Sequence, residues 1–214
     1  MSPGPAGGGS AGGGGSPAGG GSAASRGSAG SGGSPDLRLF VALDLPEPAR
    51  DALVAFREAT ADPAIWRPVG PEAIHVTLAF LGRRPQSDVP AISAALLEAA
   101  GPAPRLALAG ALLLPPRRAR VLCAAIDDSD GTLAELQARV SEGLVDAGVF
   151  DPETRPFRPH ATVARLRSGA RAPRAVDAAP EPIAFHGGPL TLYVSRLHPK
   201  GARYEPLARV DLAG

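Results

Sequence analysis

From Leu37 onward, the hydrophobic residues show two patterns, one typical of strands and one typical of helices. Short apolar runs bounded by Pro or Gly predict strands, and these runs span 37–45, 73–81, 106–114, 120–126, 160–166, 183–186, 190–197 and 203–210. Apolar residues at a spacing of three or four predict helices over 47–60, 89–100 and 129–147. Strands mixed with helices of this length are typical of an α/β or α+β protein.

The strand–helix–strand order occurs twice, and each half contains one strand with a His-x-Thr sequence. We therefore expect an internal pseudo-duplication, in which two lobes of sheet and helix face a cleft. Outside these motifs the two halves share little sequence, so this expectation rests on the order of the elements.

The first residues have a different composition. Residues 1–34 contain 15 of the 27 glycines, mostly among Ser, Ala and Pro, and their only charged residue is Arg26. Such a segment has too little apolar surface to offset the entropy of ordering. We predict a disordered Gly/Ser/Ala/Pro-rich tail over residues 1–35 and one domain over residues 36–214. No apolar stretch suits a signal peptide or a membrane span, so we expect neither.

The charges nearly balance, with 22 Lys and Arg against 21 Asp and Glu. Proteins that grip long stretches of nucleic acid usually carry a basic excess, whereas a nucleotide or an RNA end needs no such excess. Cys123 is the only cysteine, which excludes an intrachain disulfide and a zinc site built on several cysteines. We expect a cytoplasmic monomer.

The two His-x-Thr sequences are His75-Val76-Thr77 and His160-Ala161-Thr162. Because side chains alternate along a strand, each histidine should share a face with its threonine, while the middle residue points to the core. Imidazole suits acid–base work near neutral pH. Two imidazoles on opposite sides of a phosphorus atom can divide that work, while threonine hydroxyls donate to the phosphoryl oxygens.

Arg165 follows Thr162 by three residues, an odd spacing that puts it off the His/Thr face of a flat strand. It would have to reach a phosphate from the strand end or through a twist. A zinc site is the main alternative for the two histidines, but neither motif has a third ligand at a suitable offset. We therefore expect no metal and no other cofactor.

Other candidates have simpler interpretations. Cys123 lies in an apolar run and is expected to be buried, and His186 and His198 lack a threonine partner and are assigned to structure or surface. Residues 127–130 (DDSD) are typical of a helix-capping turn. The loop at 115–120 (PPRRAR) is more consistent with a solvated turn than with a phosphate contact. Phe40 and Trp66 could stack on a base, although core packing suits Phe40 better.

Five segments in order, RLFVALDLP, PEAIHVTLAFLG, LLLPPRRARVL, FRPHATVARLR and LTLYVSRLHPKGARYEPL, resemble the 2H phosphoesterase family. The resemblance covers about residues 37–212 and is specifically to the RNA 2′,3′-cyclic phosphodiesterase branch, also called the 2′-5′ RNA ligase family. It implies an α+β fold of two pseudo-symmetric lobes, each an antiparallel sheet with helices, around a central cleft. Ala161 departs from the larger β-branched residue that is more frequent there.

The resemblance also implies roles for the residues of the site. His75 would be the proton donor to the leaving oxygen, and His160 the proton acceptor that activates water. Thr77, Thr162 and Arg165 would bind the phosphate. The implied partner is an RNA end or a nucleotide with a 2′,3′-cyclic phosphate, opened to a 2′-phosphomonoester without metal or cofactor. Ligation at the same site is the alternative, and a non-catalytic nucleotide-binding module is a weaker one because both histidines are present.

Overall fold

The computed structural model of the protein describes residues 1, 35–152, 154–196, 198 and 201–214. The chain divides into two units, Met1–Gly32 and Gly33–Gly214, and all the described helices and strands lie in the second. The tail predicted for residues 1–35 falls almost entirely outside the described residues, so it stays a prediction. Among those described, no helix is both long and apolar enough to cross a membrane.

The described residues of the second unit form nine strands, three α-helices and two short 3-10 helices, Pro71–Ala73 and Gln86–Asp88. The strands are β1 (Asp36–Asp44), β2 (Trp66–Pro68), β3 (His75–Pro85), β4 (Arg105–Leu114), β5 (Val121–Asp127), β6 (His160–Leu166), β7 (Ala184–His186), β8 (Leu190–Arg196) and β9 (Arg203–Val210). The helices are α1 (Glu47–Thr60), α2 (Val89–Ala99) and α3 (Thr132–Asp146). All the predicted elements are present, whereas β2 was not predicted because it is only three residues long and contains a proline.

Helix α3 begins three residues later than its hydrophobic pattern predicted. The Asp128 carboxylate accepts hydrogen bonds from the backbone N–H groups of Leu133 and Ala134, each at 2.9 Å. These bonds satisfy donors that the first turn of a helix leaves unpaired. The residues 127–130 therefore form the capping turn that their composition indicated.

The strands form one antiparallel sheet in the order β7-β4-β5-β6-β3-β1-β8-β9, with β2 added to β6. Between β6 and β3 this sheet is joined by a single residue pair, Val76 with Ala161. The sheet therefore has two halves, one around β6 and one around β3. The α+β class and the two-lobed arrangement are confirmed.

The two lobes are not continuous in sequence. Helix α1 follows β1 but packs against β6, and β2 also joins β6. Helix α3 follows β5 but packs against β3, and the C-terminal strands β8 and β9 extend the sheet beside β1. Each lobe therefore contains elements from both halves of the chain. One continuous hydrophobic core runs through both lobes.

Strands β3 and β6 contain the same irregularity. In β3, Leu78 has no partner in its register with β1, and in β6, Val163 has none in its register with β5. Both residues stand three positions after the histidine, and the alanine that follows each is also buried. An extra residue of this kind is a β-bulge, and it reverses which face the following side chains occupy.

Val76 and Ala161, the middle residues of the two motifs, are fully buried where the halves meet. In an antiparallel pairing, this register sets Thr77 across from His160 and His75 across from Thr162. Ala161 lies between Val76 on β3 and Ala124 on β5, and all three residues are fully buried.

We expect Ala161→Leu to lower the free energy of unfolding by about 1–3 kcal/mol, because added methylenes overpack a closed junction. Urea denaturation measures this change. Ala94→Leu adds the same atoms at an exposed position of α2 and should change stability by no more than about 0.5 kcal/mol. Equal effects from the two substitutions would show that the junction is not tightly packed.

Candidate active site

Both motifs face one cleft of ≈ 670 Å³ between the two halves of the sheet. His75 and Thr77 line it from β3, and His160 and Thr162 line it from β6, while the middle residues of both motifs lie in the core. Arg165 lines the same cleft. The structure thus brings together all five side chains that the sequence singled out.

His75 is held on its strand by neighbours of several kinds. Its Nε2 lies 3.2 Å from Thr77 Oγ1, within hydrogen-bonding distance. Its ring stacks on Phe40 with centroids 4.9 Å apart and makes a T-shaped contact with Tyr204, with centroids 5.5 Å apart. Only part of the imidazole therefore remains open to the cleft.

This enclosure sets the charge of His75. Burial lowers the pKa of His75 to about 4, because the cationic form loses its hydration. A hydrogen bond with the Ala73 backbone and the charge of Asp44 oppose that fall in pKa. The charges of Arg165 and His160 add to it. In the ligand-free protein at pH 7, His75 is therefore a neutral imidazole.

Asp44 anchors the aromatic residues behind His75. Its carboxylate accepts hydrogen bonds from Thr191 Oγ1 at 3.0 Å, Tyr193 Oη at 2.9 Å and Arg209 Nη2 at 2.8 Å. Burial and the Asp44 charge raise the pKa of Tyr193 to about 12, so its hydroxyl stays protonated and donates. Tyr193 in turn stacks on the ring of Phe40.

His160 is oriented differently. Its Nδ1 lies 2.7 Å from the backbone carbonyl oxygen of Arg158, so Nδ1–H donates to that oxygen. A neutral ring bonded in this way carries its lone pair on Nε2. The backbone thus fixes the tautomer that can accept a proton at Nε2.

Thr162 lies next to Cys123, with Oγ1 and Sγ 3.5 Å apart. Burial raises the pKa of the Cys123 thiol to about 11, which keeps it protonated. A thiol in this state is a poor nucleophile. Cys123 therefore packs in the core, as its apolar run predicted.

Arg165 reaches the cleft because of the bulge in β6. The bulge at Val163 reverses the alternation, so Arg165 joins the face of His160 and Thr162 despite its odd spacing. Its Nη2 lies 3.4 Å from Tyr204 Oη.

Arg38 and Arg67 also line the cleft, and no carboxylate among the described residues does. The balanced charge of the whole chain thus conceals a basic cleft that suits an anion.

The other aromatic and histidine residues considered from the sequence differ in how exposed they are and in whether they reach the cleft. Trp66 is 2% exposed and belongs to the core, so it is not available to stack on a base. Phe40 is also buried, as predicted from the sequence, and its ring stacks directly on His75. His186 is exposed on β7, and His198 is exposed but also lines the cleft.

Phe80, which lines the cleft, was not singled out from the sequence. It stands five residues after His75, as Arg165 stands five residues after His160. The matching bulge at Leu78 turns it to the same face, and its side chain is 62% exposed. The aligned sequences HVTLAF and HATVAR contain the signal that relates these two positions.

Among the described residues, no three His, Cys, Asp or Glu side chains are grouped as ligands for one metal ion. The histidines instead contact hydroxyl, aromatic and backbone groups.

Comparison with known proteins gives consistent results. The RNA 2′,3′-cyclic phosphodiesterase of Thermus thermophilus is 34% identical over 186 residues, which cover 83% of this chain and 91% of that protein. The crystal structure of E. coli LigT in its apo form is 27% identical, with a TM-score of 0.72 over 85% of this chain and all of that one. LigT complexed with 3′-AMP has a TM-score of 0.69 at 27% identity, with the same coverage. The family model of the 2′-5′ RNA ligase superfamily matches residues 45–199. The chain therefore belongs to the 2′-5′ RNA ligase superfamily.

Proposed function

We propose that this protein is an RNA 2′,3′-cyclic phosphodiesterase, which hydrolyses a cyclic phosphate end to a 2′-phosphomonoester without a metal ion. The observation that carries the proposal is the pairing of the two motifs across one basic cleft, with two histidines on facing strands. The named relative from Thermus thermophilus and the 3′-AMP complex of LigT support a nucleotide or RNA end as the substrate.

His160 is the proposed proton acceptor. Its Nδ1–H is bonded to the Arg158 carbonyl, which leaves Nε2 to take a proton from an attacking water. As this proton leaves, the water oxygen forms a bond to phosphorus and the bond to the 3′-oxygen breaks.

His75 is the proposed donor to the departing 3′-oxygen. Because His75 is neutral in the ligand-free protein, it must gain a proton when substrate binds. The negative charge of the cyclic phosphate favours this, since a nearby anion raises the pKa of an imidazole. The hydroxyls of Thr77 and Thr162 and the guanidinium of Arg165 would bind the non-bridging oxygens.

Ligation is the second candidate, favoured by the name of the superfamily that the chain matches. In that reaction an RNA 5′-hydroxyl replaces water and gives a 2′-5′ linkage, with the same acid and base. Incubation with a 5′-hydroxyl RNA fragment and analysis of the joined product distinguishes the two reactions.

We expect His75→Ala and His160→Ala each to lower kcat for a 2′,3′-cyclic nucleotide by about 10²–10⁴-fold, because each removes one proton transfer. The assay is run with EDTA, which should leave the wild-type rate unchanged. His186→Ala, on the exposed edge strand β7, is the matched control and should keep full activity. Full activity in either cleft variant would refute the mechanism.

The low pKa of His75 gives a second prediction. Removing part of its aromatic cover by Tyr204→Ala should raise the pKa of His75 from about 4 toward 6.5, because the cation regains hydration. Titration of the histidine ring signals by NMR measures this shift. Tyr204→Phe keeps the ring and should leave the pKa unchanged. A wild-type His75 that titrates near pH 6.5 would contradict the structure.

Arg165→Gln should lower kcat/KM by about 10–100-fold, since a hydrogen bond to a charged group contributes about 1.5–3 kcal/mol. Arg165→Lys keeps the charge without the forked geometry and should lose less. Arg171→Gln, at an exposed position outside the cleft, is the control. If Arg165→Gln behaves like the control, Arg165 does not bind the phosphate.

A further inference from the structure

A groove of ≈ 630 Å³ continues from the catalytic cleft on the side of His160. Thr77, Phe80, Val121 and His160 line both the cleft and the groove, whereas His75 lines only the cleft. A ligand whose phosphate lies between the two histidines could therefore extend into the groove without a break.

One wall of the groove is aromatic and apolar. Phe80 stands at the boundary with the cleft, 62% exposed, and Phe150 and Phe157 lie half-buried farther along. Prolines complete this wall, at positions 115, 116, 152 and 156. Exposed aromatic rings next to a phosphate-binding cleft are suited to stacking on nucleobases, whatever the sequence of bases.

The groove is also basic. Arg120, Arg155 and Arg158 line it, all three exposed, and none of its described lining residues is acidic. Thr77 and His160, which the groove shares with the cleft, are polar, and so are Gln137 and Ser141, which are hydrogen-bonded to each other at 2.8 Å. Guanidinium groups beside aromatic rings complement a chain of alternating phosphates and bases. An apolar peptide has no negative charges to pair with these guanidinium groups.

We propose that this groove binds the single-stranded RNA that adjoins the nucleotide carrying the reacting phosphate. The preferred substrate is then an oligoribonucleotide end, and a free cyclic nucleotide fills only the cleft. This inference rests on the proposed cyclic phosphodiesterase activity. It also gives a role to the 115–120 loop, because Arg120 and its two prolines line the groove.

The test compares two double variants that each remove two positive charges. Arg120→Gln with Arg155→Gln changes the groove, while Arg117→Gln with Arg118→Gln changes exposed arginines that do not line it. Arg158 is left unchanged, because its carbonyl oxygen holds His160. The substrates are 2′,3′-cyclic AMP and a short single-stranded oligoribonucleotide with a 2′,3′-cyclic phosphate end.

On the oligoribonucleotide, kcat/KM of the groove variant should fall about tenfold because KM rises. Its rate on 2′,3′-cyclic AMP should stay at the wild-type value. The salt dependence of its oligoribonucleotide KM should become shallower, since fewer counterions are released on binding. The control variant should match wild type on both substrates.

The outcomes separate this inference from the activity it rests on. Failure of the wild-type protein to open 2′,3′-cyclic AMP and the oligoribonucleotide would refute the proposed function itself. Normal hydrolysis of 2′,3′-cyclic AMP with equal oligoribonucleotide kinetics in all three proteins would overturn the groove alone. Equal losses in the groove and control variants would also overturn it, because the effect would then reflect net charge.

Discussion

Val76 and Ala161 pair where the two halves of the sheet meet, and the position of every proposed catalytic group follows from that pair. Because the pairing is antiparallel, each histidine lies across from the threonine of the other motif. Both middle residues are fully buried in the core. The histidine and threonine of each motif lie on the opposite face of the strand and therefore face the cleft. The exchange of α1, β2 and α3 between the lobes supports this junction from both sides.

The two lobes are alike in backbone and different in chemistry. Matching bulges turn Phe80 and Arg165 into the same cleft at equivalent positions, one apolar and one cationic. His75 is enclosed by aromatic rings and neutral, whereas the backbone of Arg158 holds the His160 ring by Nδ1. A pseudo-symmetric frame thus presents two unlike sides to a phosphate, as a reaction with separate proton donor and acceptor requires.

Local pattern was sufficient to predict most of the fold and four of the five proposed site residues, because His-x-Thr alternation is a property of a single strand. The odd spacing of Arg165 puts it off that face of a flat strand, and its role was implied by the family resemblance. The bulge at Val163, which turns Arg165 to the cleft, could not be predicted from the sequence. The exchange of helices depends on contacts distant in sequence. The low pKa of His75, produced mainly by burial, depends on such contacts too, and so does the cluster of arginines that the nearly balanced charge of the chain conceals.

In the proposed mechanism, two histidines on facing strands act in a fixed direction on one phosphate, one as acceptor and the other as donor. The most direct test of this mechanism is the identity of the product from 2′,3′-cyclic AMP in the presence of EDTA, with 2′-AMP and 3′-AMP separated by chromatography. A donor fixed beside the 3′-oxygen predicts 2′-AMP alone. A mixture of both isomers, or 3′-AMP alone, would contradict the account.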